Sequence, residues 1–182
     1  DYPFEDERPK DLLTIIVTGD TAGHVYFWDL ARPVNPHLEG GDPLRNPRPV
    51  RTSEKGHTVS ITTSCRCRCP KNLIRDINDR NIYEPLESFN ETVNVVATGD
   101  KEGKIIIWDP RTQEYLGECE GHQGSIVNLK STQSMTEFYF EQENIKAKKT
   151  LTWLVSGGKD ATIRVWNIVQ LPVVSCILVI DV

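Results

Sequence analysis

Three stretches of the chain align without a gap: VTGDTAGHVYFWD at residues 17–29, ATGDKEGKIIIWD at residues 97–109 and VSGGKDATIRVWN at residues 155–167. Each passes from an apolar run through a short polar turn into a second apolar run that ends in Trp followed by Asp or Asn. β-Branched residues on both sides of a tight Gly/Asp turn are typical of a β-hairpin. The same hairpin therefore occurs three times, which indicates a repeat architecture.

A Gly-His dipeptide precedes the second and third hairpins, at Gly56-His57 and Gly121-His122. Together with the strand–turn–strand block and the closing Trp-Asp, it makes the chain resemble the WD40 repeat family over roughly residues 12–180. In that family each repeat forms a four-stranded blade, and the blades close into a β-propeller. The resemblance implies an all-β fold, a partial WD40-type β-propeller of about three four-stranded antiparallel blades from a larger ring.

Strand-like runs divide the partial propeller at residues 1–182 into a partial first blade at 12–55, a second blade at 57–120 and a third at 122–180. A propeller needs about 4–8 blades to close, and exposed sheet edges bind other chains or aggregate. We therefore expect the remaining blades to come from other residues of the parent protein. An N-terminal Asp and a single methionine, Met135, agree with that expectation.

Three insertions lengthen the repeats, at residues 31–48, 70–91 and 133–149. In a four-stranded up-and-down blade, the first-to-second and third-to-fourth turns lie at the same edge of the sheet, so all three insertions are predicted to emerge on one face of the propeller. Two interpretations stay open. Polar, Pro- and Gly-rich stretches are commonly solvated loops, while long loops on a rigid scaffold often bind partners.

By resemblance, four residues of the third blade match the hydrogen-bonded tetrad of the family: His122, Ser156, Asp160 and Trp166. Ser, His and Asp also form hydrolase triads, but no nucleophile-elbow motif accompanies them here. We therefore predict that the tetrad is structural and that the chain has no catalytic, cofactor or metal site. Partial tetrads are expected in the other blades, at His57, Thr98 and Trp108 in the second and at Thr18 and Trp28 in the first.

Of the four tetrad residues, the aspartate in the hairpin turn is the one that differs in the other two blades. At the position of Asp160 the second blade has Glu102 and the first has Ala22. Asp20 and Asp100 lie two positions earlier, where we expect them to cap their own turns. The second blade thus departs from the family pattern at this position, and losing Asp160 should destabilise far more than losing Glu102.

The cysteines and the net charge indicate the cellular compartment of the protein and the classes of partner that it binds. The five cysteines, an odd number, include Cys65, Cys67 and Cys69, which alternate with Arg66 and Arg68 and should place three thiols on one face of a strand. This spacing lacks the second Cys pair of a zinc site. It also does not resemble a secreted disulfide framework, so an intracellular location, cytoplasmic or nuclear, is expected. The net charge of −5 argues against direct nucleic-acid binding, and no apolar run is long enough for membrane insertion.

The resemblance implies a non-catalytic scaffold for protein–protein interaction, a WD-repeat subunit of a multiprotein complex. Its partners would be other proteins of that complex and the remaining blades of the parent chain. An alternative is a reader of a modified or linear peptide motif, and part of a larger enzyme has less support. Family resemblance places the candidate partner-binding residues on the face opposite the insertions: Lys101, Lys159, Thr58, Ser60, Gln123 and Ser125.

Overall fold

A computed structural model describes residues 15–29, 56–70, 92–140 and 145–182 of the chain. These residues form ten β-strands, and no helix occurs among them, so none that could span a membrane is found there. The predicted all-β fold class is confirmed. The strands are β1 (Ile15–Gly19), β2 (Val25–Asp29), β3 (Ile61–Pro70), β4 (Thr92–Asp100), β5 (Ile105–Asp109), β6 (Glu114–Cys119), β7 (Ile126–Phe140), β8 (Ile145–Gly158), β9 (Thr162–Gln170) and β10 (Val173–Asp181).

The ten strands form three antiparallel sheets. The first sheet pairs β1 with β2, the second has the order β3-β4-β5-β6, and the third has the order β10-β9-β8-β7. Consecutive strands are neighbours throughout, which is the up-and-down arrangement of a propeller blade. The architecture is compatible with a partial β-propeller in which the first blade is represented by a hairpin.

Glycine shapes the equivalent tight turns of the first two sheets. Gly23 and Gly103 occupy the same place in the repeat and have φ values of 88° and 93°. A Cβ atom at either residue would lie 2.7 Å from a backbone oxygen of the next Gly-His segment, that of His57 or of His122. Glycine is therefore required there both for the left-handed backbone and for the close approach of the following sheet.

The apolar core lies between the sheets, and β5 shows why. Ile105 and Ile107 pack in the core shared with the third sheet, whereas Ile106 and Trp108 pack against the first sheet. Successive side chains of a strand point to opposite faces, so a strand covered on both faces needs a continuous apolar run. The sequence IIIW in β5 meets that need, and all four side chains are fully buried.

The third insertion differs from its prediction as a loop. Residues 133–140 continue β7 and residues 145–149 belong to β8, with pairing from Gln133↔Thr152 out to Phe140↔Ile145. The insertion thus extends two strands of the third blade as a β-hairpin arm. The other two insertions, at 31–48 and 70–91, lie outside the described residues, apart from Pro70, which ends β3. Residues 49–55 of the predicted first blade also lie outside them. The division into blades stays a prediction.

Candidate functional site

The tetrad residues of the third sheet form one hydrogen-bonded relay. His122 Nδ1 lies 2.9 Å from Asp160 Oδ2, and His122 Nε2 lies 2.7 Å from Ser156 Oγ. The indole N–H of Trp166 donates to Ser156 Oγ at 2.8 Å. A neutral imidazole with its proton on Nδ1 satisfies every group, because the carboxylate can only accept and the Ser hydroxyl can donate to Nε2.

The second sheet holds a complete relay of the same form, and its carboxylate is Asp100. His57 Nδ1 lies 2.7 Å from Asp100 Oδ2, His57 Nε2 lies 2.7 Å from Thr98 Oγ1, and the Trp108 indole donates to that oxygen at 2.8 Å. The tetrad expected to be partial in this blade is therefore complete. Glu102 takes no part in it, since its side chain is exposed and its backbone N–H donates to Asp100 Oδ1 at 2.9 Å. Asp100 caps its turn with one oxygen, as expected, and holds the histidine with the other.

A pairing rule in the sequence could have revealed Asp100. A buried histidine needs an acceptor on its second nitrogen, and the alignment with Asp160 offered His57 only Glu102. Asp100 occupies the same repeat position as Asp20, so the sequence offered a second carboxylate position, shared by the first two blades.

Gly158 allows the third sheet to use the later carboxylate. It occupies the repeat position of Asp100, and a Cβ atom there would lie 2.5 Å from both Asp160 Oδ1 and His122 Nδ1. Real Cβ atoms essentially never approach so closely. The second sheet thus has an aspartate, Asp100, at this position of the turn. The third sheet has glycine there, and its aspartate comes two residues later.

The first sheet has a local version of the relay. The Trp28 indole donates to Thr18 Oγ1 at 3.0 Å. Asp20 Oδ2 accepts from the Tyr26 hydroxyl at 2.9 Å and lies 2.8 Å from Nδ1 of His24, an imidazole of the same turn. A histidine from within the turn thus holds the carboxylate, whereas in the other sheets the histidine comes from a Gly-His segment.

The relay carboxylates are held in their charged form. For Asp100 burial favours protonation, but hydrogen bonds from His57 and from the backbone of Lys104 and Glu102 outweigh it and lower the pKa. For Asp160 burial is likewise outweighed, by the backbone N–H of Gln123 and by His122 and Thr162, and its pKa lies well below the usual range. Hydrogen bonds to the charged form are the dominant cause in both sheets.

The geometry of the relay supports a structural role over hydrolysis. Ser156 is fully buried, and its oxygen already contacts both the Trp166 indole and His122. A nucleophilic serine must meet its substrate with the oxygen free to attack. The relay instead ties the Gly-His segment to two strands and the turn between them.

The candidate partner-binding residues form two repeat-related groups. In the second sheet the exposed Lys101 donates its backbone N–H to Ser60 O at 3.1 Å, with Thr58 exposed nearby in sequence. In the third sheet the exposed Lys159 donates to Ser125 O at 2.8 Å. The remaining member, Gln123, is exposed, and its backbone N–H donates to Asp160 Oδ2 at 2.9 Å. Each relay therefore fixes the backbone of a turn that presents a lysine to solvent.

The thiol row of β3 runs from the surface into the core. Cys67 and Cys69 are fully buried, Cys65 is half-buried, and Arg66 and Arg68 on the opposite face are exposed. Burial raises the pKa of Cys69 to about 12. Among the residues that the structure describes, no group of three His, Cys, Asp or Glu side chains is arranged to hold a metal ion.

Comparisons with known proteins give a repeat-family match and a similar designed structure. The family model described as "WD domain, G-beta repeat" matches residues 146–167. The crystal structure of the computationally designed Ika8 protein is similar at 20% identity with a TM-score of 0.46, and the match covers 92% of this chain and 33% of that one. The chain thus spans about a third of the length of that designed protein. No curated protein sequence gives a significant match.

The WD40 match covers β8 and β9 as far as Asn167, two strands of the sheet that holds the His122 relay. WD40 domains are typically non-catalytic modules of protein interaction. The chain contains a WD40 repeat within an all-β structure of antiparallel sheets, as expected for part of a WD40 β-propeller.

Proposed function

We propose that the chain is a non-catalytic scaffold that holds other proteins together in a multi-subunit complex. The observation that carries the proposal is an apolar surface on and beside β10. Six large apolar side chains there are between 44% and 80% exposed: Val173, Ile177, Leu178, Val179, Ile180 and Val182. Large exposed apolar side chains grouped in one region are typical of a protein-interaction site.

A comparison of outer strands supports this interpretation of β10. In the second sheet the outer strand is β6, EYLGEC, which carries two charged residues, and its apolar residues are buried or partly buried. In the third sheet it is β10, VVSCILVID, in which apolar side chains point to both faces and are exposed. An outer strand that faces only solvent would be expected to carry charged residues, as β6 does. The apolar residues of β10 fit a strand that another protein surface covers.

The glycines of the repeat suggest that one partner is a further blade. A Cβ atom on Gly19 would lie 2.7 Å from the side chain of Ile61, and one on Gly99 would lie 2.8 Å from that of Ile126. In each case the isoleucine belongs to the first strand of the next sheet. The equivalent Gly157 has nothing within 4 Å. The remaining blades of the parent protein would place a branched side chain there.

A capture experiment with a matched control tests the scaffold. The tagged chain is expressed with Val179→Glu, or with Val127→Glu as control, because Val127 is 58% exposed on β7, away from the proposed surface. We expect wild type and the control to retain partner proteins in near-stoichiometric amounts, counted by quantitative mass spectrometry, and Val179→Glu to lose them. Equal retention by both variants, or no stoichiometric partner for wild type, would contradict the proposal.

A peptide reader is the second candidate, favoured by the two repeat-related lysine turns. The double variant Lys101→Glu/Lys159→Glu should then abolish binding to an acidic or modified peptide. Replacing the arm at residues 135–150 with a two-residue Asn-Gly turn should leave that binding intact. The proposed scaffold would instead lose its partners with Val179→Glu and retain them in the double lysine variant, so these two variants distinguish the candidates.

An intracellular location forms part of the same proposal. All five cysteines carry free thiols, including the exposed Cys176. Such thiols suit a reducing compartment. The acidic net charge of −5 supports protein partners rather than nucleic acid.

A further inference from the structure

Side chains of the third sheet cap the free edge of β3. This strand is the end strand of its sheet, so carbonyl groups along its outer edge have no strand partner. The Ser131 hydroxyl donates to Arg66 O at 2.8 Å. The Gln133 amide donates to Arg68 O at 3.1 Å, and the Thr152 hydroxyl donates to the same oxygen. Capping of this kind satisfies a sheet edge that would otherwise pair with another chain.

Arg66 and Arg68 occupy the repeat positions of two of these capping residues. Ser131 and Gln133 each lie 65 positions after the arginine whose carbonyl they cap. The histidines of the two Gly-His segments are separated by the same number of positions. Because Cys67 packs in the core shared with the third sheet, the arginines on either side of it face the other way, toward the first sheet.

The two arginines lack a partner on that side. Both are exposed, and within the described part of the chain no hydrogen bond or ion pair engages either guanidinium group. The first sheet consists there of β1 and β2, so no described strand corresponds to β3 and receives these donors. A free edge of β1 and two cations of β3 therefore lie on the same side of the second sheet.

We propose that residues 4–8 form the strand of the first sheet that corresponds to β3, and that Glu5 and Glu7 pair with Arg66 and Arg68. The segment, FEDER, lies outside the described residues and precedes β1 in the sequence. Its two glutamates have the same spacing as the two arginines, which in a strand sets side chains on one face about 7 Å apart. A guanidinium group binds a carboxylate through paired, charge-assisted hydrogen bonds.

The register of the second sheet fixes the position of this strand. Arg66 lies opposite Val96 of β4, and the aligned repeats place Ile16 of β1 at the position of Val96. With Glu5 opposite Ile16, an antiparallel strand turns back at residues 9–12. The sequence of that turn, PKDL, begins with proline and contains aspartate, both typical of turns, and four-residue loops are common in hairpins. The pairing is independent of the scaffold role proposed for β10.

Hydrogen exchange on the full 182-residue chain tests the proposal. In wild type the backbone amides of residues 4–8 should exchange more slowly than in a free peptide of residues 1–14, as expected for a paired strand. Arg66→Glu/Arg68→Glu should speed that exchange about fivefold, the effect of losing two partly exposed ion pairs. Adding Glu5→Arg/Glu7→Arg to that variant should restore the slow exchange. Wild-type exchange at the rate of the free peptide, or no change in the arginine variant, would overturn the proposal.

Matched variants separate this pairing from its alternatives. Asp6→Arg changes the charge on the other face of the proposed strand and should leave the exchange of residues 4–8 unchanged. A loss of protection as large as that of the arginine variant would overturn the assignment of the glutamates. Protection that grows with protein concentration would assign the strand to a second copy of the chain and overturn the pairing within one chain.

The buried strand β5 reports whether the arginine variant folds. Its amides should exchange at the same slow rate in every variant, because its side chains are fully buried in the second sheet. Glu5→Arg/Glu7→Arg alone leaves β3 untouched and should speed the exchange of residues 4–8 by the same factor. Unchanged exchange in this variant would overturn the proposal even if the arginine variant unfolds.

Discussion

The second and third sheets build the same relay from turns of different sequence. In the second sheet the carboxylate comes from Asp100, the first polar residue of the turn, and in the third from Asp160, two residues later. Both carboxylates contact Nδ1 of the preceding histidine, and both hydroxyl partners accept an indole N–H. The position of the oxygen beside the imidazole, rather than its place in the sequence repeat, defines the relay.

The largest expected effect comes from removing either relay carboxylate. Asp100→Ala and Asp160→Ala each remove the carboxylate beside a buried imidazole, at a cost of about 1–3 kcal/mol in the free energy of unfolding. After Asp160→Ala, His122 Nδ1 still has Thr162 Oγ1 at 3.2 Å. Asp100→Ala should lie at the upper end, because the His57 and Asp100 side chains are 0% and 2% exposed, against 0% and 9% for His122 and Asp160. Urea unfolding provides the measurement.

Glu102→Ala is the matched control for this pair. Its side chain is exposed and takes no part in either relay, so the free energy of unfolding should change by less than about 0.5 kcal/mol. A loss in the free energy of unfolding as large as that of Asp100→Ala would show that Glu102 also supports the relay. It would contradict the assignment of Asp100 as the carboxylate of the second sheet.

The second and third sheets also differ in how closely a neighbouring sheet packs against their glycines. Gly99→Ala would push a methyl group to within 2.8 Å of Ile126, and overpacking of this kind costs about 1–3 kcal/mol. Gly157→Ala meets open space in this chain and should be neutral or stabilising by up to about 1 kcal/mol, through a less flexible unfolded state. Thermal unfolding of both variants decides the matter, and equal losses would show that the outer face of the third sheet is already covered.

The sequence predicted the repeat, the strands around each turn and the third-sheet relay, since hydrophobic alternation and the Gly-His and Trp-Asp marks are local signals. It did not predict the role of Asp100, because which carboxylate reaches the histidine depends on the path of the turn. The arm was missed because the insertion was recognised by its length alone. The β-forming residues Phe138, Tyr139 and Phe140 were the available signal for strand.

Acid stability gives a third comparison. The pKa values of both Asp100 and Asp160 are lowered in the folded state, so below the unfolded value of about 3.9 the unfolded chain binds more protons and folding weakens. The stabilisation is present above pH 4 and lost as the pH falls through the folded values. Asp160→Asn should therefore lose less of its free energy of unfolding than wild type between pH 4 and pH 2, as measured by urea titrations at each pH. An unchanged slope would contradict a charged Asp160.

A small stabilising effect is expected in the turn of the third sheet. Ala161 has φ 58°, at the position where the other turns have Gly23 and Gly103. A left-handed conformation costs an L-residue about 1–2 kcal/mol, partly offset by the greater flexibility of unfolded glycine. Ala161→Gly should therefore stabilise the chain by about 0.5–1 kcal/mol. Destabilisation on calorimetry would show that the methyl group makes a contact worth more than the strain.

The central claim is that the His, Ser, Asp and Trp relay ties a blade together and performs no chemistry. A fluorophosphonate probe, which labels nucleophilic serines, tests it most directly. Incubated with the folded chain and mapped by mass spectrometry, the probe should leave Ser156 unlabelled, because its oxygen is buried and engaged by Trp166 and His122. Stoichiometric labelling of Ser156 that disappears in Asp160→Ala would identify a hydrolase triad and contradict the scaffold.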